Sequence, residues 1–272
     1  MTSDLTASFE ILGSGTSFGV PYPGCFCPVC TSTDPHDNRM RQCALIRVSD
    51  GTNILIDSGC EVRLQLLRSK VKKIDYVLYT HSHADHIHGL DDLTVLAKKR
   101  EIKLFMNQYT LPDIKNRFHY LFKDTGAPTR KTRMTLNLID EKPFNLGKVL
   151  ITPIPLFHGK LVVYGYRIGN IAYCTDTNQI PPESLELLKG VEIFFIDGLR
   201  DTQHPTHFSY SEALDIVAII KPKIAYLIHI AHNNSHVDIE KFIQNKKIEN
   251  PDLNGIEIHP AFDGLLVENF NL

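Results

Sequence analysis

Short apolar runs separated by polar breaks recur along the whole chain. Runs rich in β-branched and aromatic residues occupy 9–12, 44–48, 53–56, 76–79, 103–105, 135–138, 149–152, 162–167, 172–174, 193–196, 224–228 and 265–267, and each reads as a short strand. Between them the apolar period lengthens to that of a helix. Ser58 followed three residues later by Glu61 has the form of a capping box, opening a helix that carries Val62, Leu64, Leu66 and Leu67. Ser209 and Glu212 repeat that form ahead of Leu214, Val217, Ala218 and an apolar Ile219-Ile220 end. The spacing predicts further helices over 90–99, 111–120 and 237–244. Pro153, Pro155, Pro181 and Pro182 read as loop punctuation. No repeat, low-complexity tract or Gly/Ser linker breaks the pattern, so 1–272 reads as a single domain of the α/β class. Patterning alone does not separate two sheets covered by helices from one doubly wound sheet.

Composition acts mainly by exclusion. A hydrophobic share of 43% and a charged share of 22% are those of an ordinary globular protein. A formal net charge of -2 supplies no general basic field for nucleic acid. Residues 1–15 lack a charged leader followed by a long apolar stretch, and no apolar run reaches bilayer length, so a cytoplasmic protein without a membrane partner is expected. In that compartment the 6 cysteines are expected as thiols or metal ligands rather than as a disulfide framework.

The most specific chemistry comes directly after the strand-like run 74–80. There, His81-Ser82-His83-Ala84-Asp85-His86 places imidazole and carboxylate ligands at H-x-H-x-D-H, where a strand would give way to a loop. These ligand types suit zinc, manganese or iron, and a surface His-rich loop is the plain alternative. Ser82 and Ala84 are too small to obstruct the turn, and Gly89 would let the chain pass tightly into the next helix. Two metals would need more ligands. His158, Asp176 and His229 each stand at the end of another strand-like run, so together with the first motif they complete a set.

H-x-H-x-D-H followed by a distant His, Asp and His resembles the metallo-β-lactamase superfamily, over essentially the whole chain. The resemblance implies an αββα sandwich of two mixed β-sheets flanked by helices, with the site at one edge. It also implies that His81, His83 and His158 hold one metal, that Asp85, His86 and His229 hold the second, and that Asp176 bridges them. Asp85 is counted among the catalytic groups as well. Asp57, in Ile54-Leu55-Ile56-Asp57-Ser58-Gly59, matches a family position whose carboxylate orients a ligand histidine from behind. Asp197 reads equally as such a group or as a turn residue.

Cys25, Cys27 and Cys30 form C-x-C-x-x-C, a soft-ligand cluster that suits a structural zinc short of one ligand, for which His232 is the choice. Free loop thiols are the alternative. An early C-x-C-x-x-C with a late H-x-x-H (His229 and His232) is similar to the branch that includes the phosphoribosyl 1,2-cyclic phosphate phosphodiesterase of the carbon–phosphorus lyase pathway. Around 86–93 and 13–21 the chain is closer to a bacterial branch without an assigned substrate. Cys43, Cys60 and Cys174 read as buried small residues.

The branch implies two divalent ions, Zn or Mn, a metal-bridging hydroxide as nucleophile and a histidine general acid. The acid position falls on His207, with His204 as competitor. His88 reads as a helix-start residue, while His36, His119, His236 and His259 read as surface or packing residues. The run 38–41, with Arg39 and Arg41, offers either a phosphate clamp or a solvated basic turn, the latter preferred. Residues 13–19 read as a tight turn bordering the site rather than a nucleotide loop.

The expected activity is hydrolysis of a small cyclic or nucleotide-like phosphodiester. An RNA 3′-end processing endonuclease, not favoured without a basic arm, and a thioester or lactam hydrolase are the alternatives. Family likeness and symmetry base rates add the expectation of a homodimer.

Overall fold

The structure, a computed structural model, describes residues 5–122 and 133–272. The first four residues of the stretch read for a leader lie outside the described residues. One sheet contains β1 (Thr6–Gly13), β2 (Cys43–Val48), β3 (Asn53–Ile56), β4 (Tyr76–Leu78), β5 (Ile102–Met106) and β6 (Met134–Leu138). The other contains β7 (Phe144–Leu146), β8 (Val149–His158), β9 (Leu161–Ile168), β10 (Ile171–Cys174), β11 (Ile193–Asp197), β12 (Ile224–Ile228) and β13 (Glu257–Pro260). β14 (Leu266–Asn271) returns to the first sheet and pairs antiparallel with β1. Among the described residues these form two seven-stranded sheets, ordered β14-β1-β2-β3-β4-β5-β6 and β13-β12-β11-β10-β9-β8-β7.

Both sheets are mixed. Antiparallel hairpins make one half of each, and the runs β3–β6 and β10–β13 are parallel. The inner faces meet in a core that includes Phe9, Ile46, Ile56, Tyr166, Tyr173, Phe195 and Ile228, all with no exposed surface. Helices cover the outer faces. Val62 of α1 (Val62–Arg68) and Ile87 of α2 (Ala84–Ile87) pack with Leu45, Leu55 and Val77 of the first sheet. Leu214 and Val217 of α7 (Tyr210–Ile220) and Ile239 and Ile243 of α8 (His236–Glu249) pack on the second. The result is the expected αββα sandwich. Among the described residues no helix is long and apolar enough to cross a membrane.

Local departures have local causes. Ser209 does cap α7 in a full capping box, but Ser58 does not cap α1. Its hydroxyl shares a hydrogen bond with the Tyr79 hydroxyl at 2.7 Å, and Glu61 instead accepts from the Arg41 amide at 2.8 Å. The helix predicted over 90–99 is a 3-10 turn (Leu90–Leu93) joined to α3 (Thr94–Ala97). The one predicted over 111–120 is α4 (Thr110–Arg117) followed by α5 (His119–Phe122). Pro153 and Pro155 lie inside β8, beyond the end of β7, where the strand is an edge and tolerates proline. Pro182 opens α6 (Pro182–Leu187) at a position where its missing N–H costs nothing. β7 and β13 were not legible as strands.

Candidate metal centre

Ligand-type residues gather where strands of both sheets end. β3 leads directly into Asp57, β10 ends two residues before Asp176, and β12 ends one before His229. At these residues the chain leaves the sheet in the left-handed region, with φ of 64°, 52° and 58°. That conformation disfavours any residue with a Cβ. β4 leads through Tyr79 and Thr80 to His81, and His83 stands at the N-cap position, without a side-chain capping bond, of the single turn of α2 that carries Asp85 and His86. This loop is pressed against its neighbours. A Cβ on Gly59 would lie 2.0 Å from the Asp85 carbonyl oxygen, and one on Gly89 would lie 2.1 Å from that of Gly59. Only glycine permits either crossing.

The side chains form two groups, His81 with His83 and His158, and Asp85 with His86, Asp176 and His229, each with its ligand atoms within 4.8 Å of one another. Asp176 stands between them. Its Oδ1 is 3.3 Å from His86 Nε2, and its Oδ2 is 3.3 Å from His229 Nε2 and 3.9 Å from His81 Nε2. Asp85 Oδ2 closes the second group at 3.2 Å from His86 Nε2. All of these except His83 are buried.

The residues fit cations. The Nε2 atoms of His81 and His86 and both ring nitrogens of His229 are buried without a hydrogen-bond partner, a cost of about 1–3 kcal/mol for each such group unless something satisfies it. The far side of two imidazoles is already held. His86 Nδ1 meets Asp57 Oδ2 at 2.7 Å, and His158 Nδ1 donates to the Thr206 carbonyl at 2.7 Å, so each turns Nε2 to the centre. Asp57 is itself fixed by the amide and hydroxyl of Thr80, at 2.9 and 2.8 Å. Burial pulls the His86 imidazole down, but Asp176, Asp85 and Asp57 outweigh it and hold it well above the usual histidine range. Burial and the neighbouring His86 hold His81 well below that range, in the neutral form a ligand needs. Three buried carboxylates around one imidazole form an excess of negative charge that a cation would match.

His207 borders this centre. Its ring stacks on His229 at 4.6 Å and lies edge-on to His158 at 4.6 Å. Its Nδ1 meets Asp197 Oδ2 at 2.7 Å, and that oxygen also accepts from the Thr177 amide at 2.8 Å. Asp197 is therefore a positioning group and not a turn residue. Burial lowers the His207 imidazole, but Asp197 outweighs it and pushes it up to about 9. His204 sits 5.1 Å from the His207 ring, and its Nδ1 is occupied by Thr206.

The other cluster lies beside the same edge. His232 Nδ1 is 3.4, 3.6 and 3.3 Å from the sulfurs of Cys25, Cys27 and Cys30. Ligand atoms around a tetrahedral zinc with bonds of about 2.3 Å to sulfur and about 2.0 Å to nitrogen stand roughly 3.5 Å apart, so the set fits such an ion. The Cys30 amide, helped by the neighbouring sulfurs and His232, pulls the Cys27 thiol down to about 6. Burial and the other two sulfurs push Cys30 up to about 11.

The Beta-lactamase superfamily domain matches residues 52–230. The chain belongs to the metallo-β-lactamase superfamily. Its branch is PhnP-like: the crystal structure of a diphosphatase from the PhnP family is similar at 37% identity and a TM-score of 0.86, covering 98% of each chain. An octanoyltransferase of Porphyromonas gingivalis is 37% identical over 94% of this chain, and the chain spans 50% of that protein's length. A ribonuclease Z of Clostridium kluyveri is 25% identical over 75% of this chain and 86% of its own length. The superfamily fold implies divalent metal binding.

Several expectations from the sequence need correction. Arg39 is neither a phosphate clamp nor a solvated turn residue. It is 1% exposed, pairs with Asp37 at 3.0 Å, and donates to the carbonyls of Ala231 (2.9 Å) and Asn234 (3.4 Å). Asp37 also accepts from the His236 amide at 2.7 Å, so the pair clamps the loop that presents His232. Arg41 pairs with Glu61. Cys43 and Cys174 are buried, but Cys60 is exposed. It shares a shallow recess with His88, Arg117 and Phe118, none of them in the ligand cluster. The sequence reading missed Thr80, which touches Asp57, His81 and His86, and Gln42, which accepts from the His229 amide. Neither lies in a recognisable motif.

Proposed function

We propose that the chain is a dinuclear metal-dependent phosphodiesterase acting on a small cyclic or nucleotide-like diester. The observation that carries this is the Asp197–His207 pair beside His158 and His229, an imidazole held by a carboxylate that raises its pKa, suited to giving a departing alkoxide a proton. His81, His83 and His158 would hold one divalent ion, Asp85, His86 and His229 the other, with Asp176 shared. Zinc and manganese both suit these ligands. Such ions, when bound, lower the pKa of water toward neutrality and polarise a phosphoryl oxygen. Asp57 fixes the His86 ring, the Thr206 carbonyl fixes His158, and His207 gives its proton to the leaving oxygen. A diphosphatase and a ribonuclease among the similar proteins support cleavage at phosphorus. Acyl transfer is not carried over from the octanoyltransferase, half of which lies outside the match.

The test is metal analysis with a screen of bis(p-nitrophenyl) phosphate, cyclic nucleotides, a short RNA, a thioester and a lactam. Turnover of the diester with two ions per chain in the His/Asp centre is expected. Lactam or thioester turnover without diester turnover would overturn the reading.

A zinc held by Cys25, Cys27, Cys30 and His232 would have a structural role, tying residues 25–30 to the 229–236 loop. Cys27→Ser is expected to lose one zinc per chain and to lower the melting temperature by roughly 5–10 °C, as a loss of a few kcal/mol does in a domain this large. Unchanged zinc content and unchanged melting temperature would exclude that role.

A further inference from the structure

The ligand histidines are not equally held. His86 rests on Asp57, His158 on the Thr206 carbonyl, and His81 Nδ1 lies 3.0 Å from the Thr80 hydroxyl. His229 is buried, stacked on His207 and held at its amide by Gln42. His83 differs from all of them. It is exposed, and among the described residues its ring makes no hydrogen bond, only edge-on contacts with the rings of His81 at 4.5 Å and His158 at 5.1 Å. An imidazole without an outer partner depends on its own backbone for its aim. That backbone is gripped from outside. The Ser82 hydroxyl donates to Asp113 Oδ2, and the Ser82 carbonyl, which belongs to the Ser82–His83 peptide, accepts from Arg117 Nη1 at 3.0 Å.

Both grips come from one face of α4, because residues four apart on a helix are neighbours. The helix is itself fixed. Asn107, with no exposed surface, accepts from the Tyr109 and Thr110 amides at 3.1 and 2.8 Å, and Ile114 is buried against the first sheet. As a pair 3.7 Å apart with both side chains well exposed, Asp113 and Arg117 add little to the stability of the fold. Their worth lies in the peptide they hold. We propose that Asp113 and Arg117 are positioning residues for the ion of the His81, His83 and His158 group, fixing the Ser82–His83 peptide so that the His83 ring turns toward that ion. This rests on the reading of two ions and names what sets the affinity of one of them. Among the described residues neither side chain bonds to a member of the other group, so the second ion should not respond.

Charge sharpens the test. Removing a positive side chain near a cation would by itself tighten the cation, so weaker binding in an Arg117 variant reports lost geometry. The full chain, loaded with cobalt(II), is equilibrated against a graded series of chelator. Elemental analysis counts the ions, and visible absorption tells the His/Asp centre from the cysteine cluster by the latter's sulfur-to-metal bands. His83→Ala supplies the trace of a protein lacking the first ion. Arg117→Ala should hold that same ion about 10–100-fold more weakly and the other ion as the parent does, the usual size for a group that orients a ligand from behind. Ser82→Ala, which removes the hydroxyl bond to Asp113 without changing any charge, should weaken the same ion about tenfold. Arg117→Lys keeps a donor and should recover most of the loss. Lys115→Ala, which removes an exposed cation from the same helix, should change neither ion, and a loss there equal to that of Arg117→Ala would overturn the proposal. So would unchanged or tighter binding in Arg117→Ala, or equal weakening of both ions, while the two-ion reading would stand. A parent chain that holds a single cobalt ion outside the cysteine cluster would overturn both.

Discussion

Asp176→Ala is expected to strip both cations from the buried centre and to lower diester hydrolysis by roughly 10³-fold or more, the scale seen when a central catalytic group is removed. Among the described residues Asp176 alone reaches toward both groups, standing 3.3 Å from His86 and His229 and 3.9 Å from His81. Without it the second group is left with one carboxylate ligand, Asp85, and the first faces no carboxylate in direct reach. The fold should persist. Among the described residues the side chain's remaining hydrogen bond comes from the adjacent Thr175 hydroxyl, and no strand depends on it. Metal content by elemental analysis and a circular dichroism spectrum measured beside the rate separate loss of ions from loss of structure. Two ions per chain and near-parental turnover in the alanine variant would rule out a shared ligand.

The next largest effect is expected at His207. Alanine there should cut turnover about 10²–10⁴-fold for a diester with an alkyl leaving group, the usual worth of a positioned acid. A p-nitrophenyl ester should lose far less, because its leaving oxygen departs without a proton. Metal content should not change. The pH profile gives a second reading. The acid works only while protonated, so the rate falls as pH rises through its pKa. Asp197 holds that pKa up against burial. Asp197→Asn removes the charge, lowers the pKa, and should move the basic limb to lower pH. Equal losses for both leaving groups and an unmoved limb would show that His207 only positions its neighbours.

Much of this centre was legible because its signals are local. H-x-H-x-D-H, the run ending in Asp57 and the C-x-C-x-x-C cluster each fit within a few residues. His158, Asp176 and His229 were legible for a different reason, since each stands at a strand end and strands are readable from β-branched runs. Arg39 was not legible. A guanidinium resembles a solvated charge until the carbonyls of Ala231 and Asn234, almost two hundred positions away, are known to face it. The Ser58 capping pattern failed because tertiary partners, Tyr79 and Arg41, took both of its side chains. β7 is three residues long, too short to show a period. A recess beside His207 joins residues 16–22 to 199–207 and 229–233, which no window along the chain samples together.

The left-handed backbone at Asp57, Asp176 and His229 has a consequence for anyone who would engineer this molecule. Each of these residues occupies a conformation that glycine enters freely and that other residues enter at a cost of order 1–2 kcal/mol. Stability campaigns that rank variants by melting temperature without metal will therefore be drawn to these positions. At Asp176 glycine relaxes the chain and also removes one of the buried negative charges, whereas at Asp57 it would strand the Thr80 amide and His86 Nδ1. Each such gain would remove a residue of the proposed metal centre. Selection on robustness alone would thus erode the hydrolase at its centre while the sandwich around it grew firmer, and a screen for this protein has to include metal in the assay from the first round.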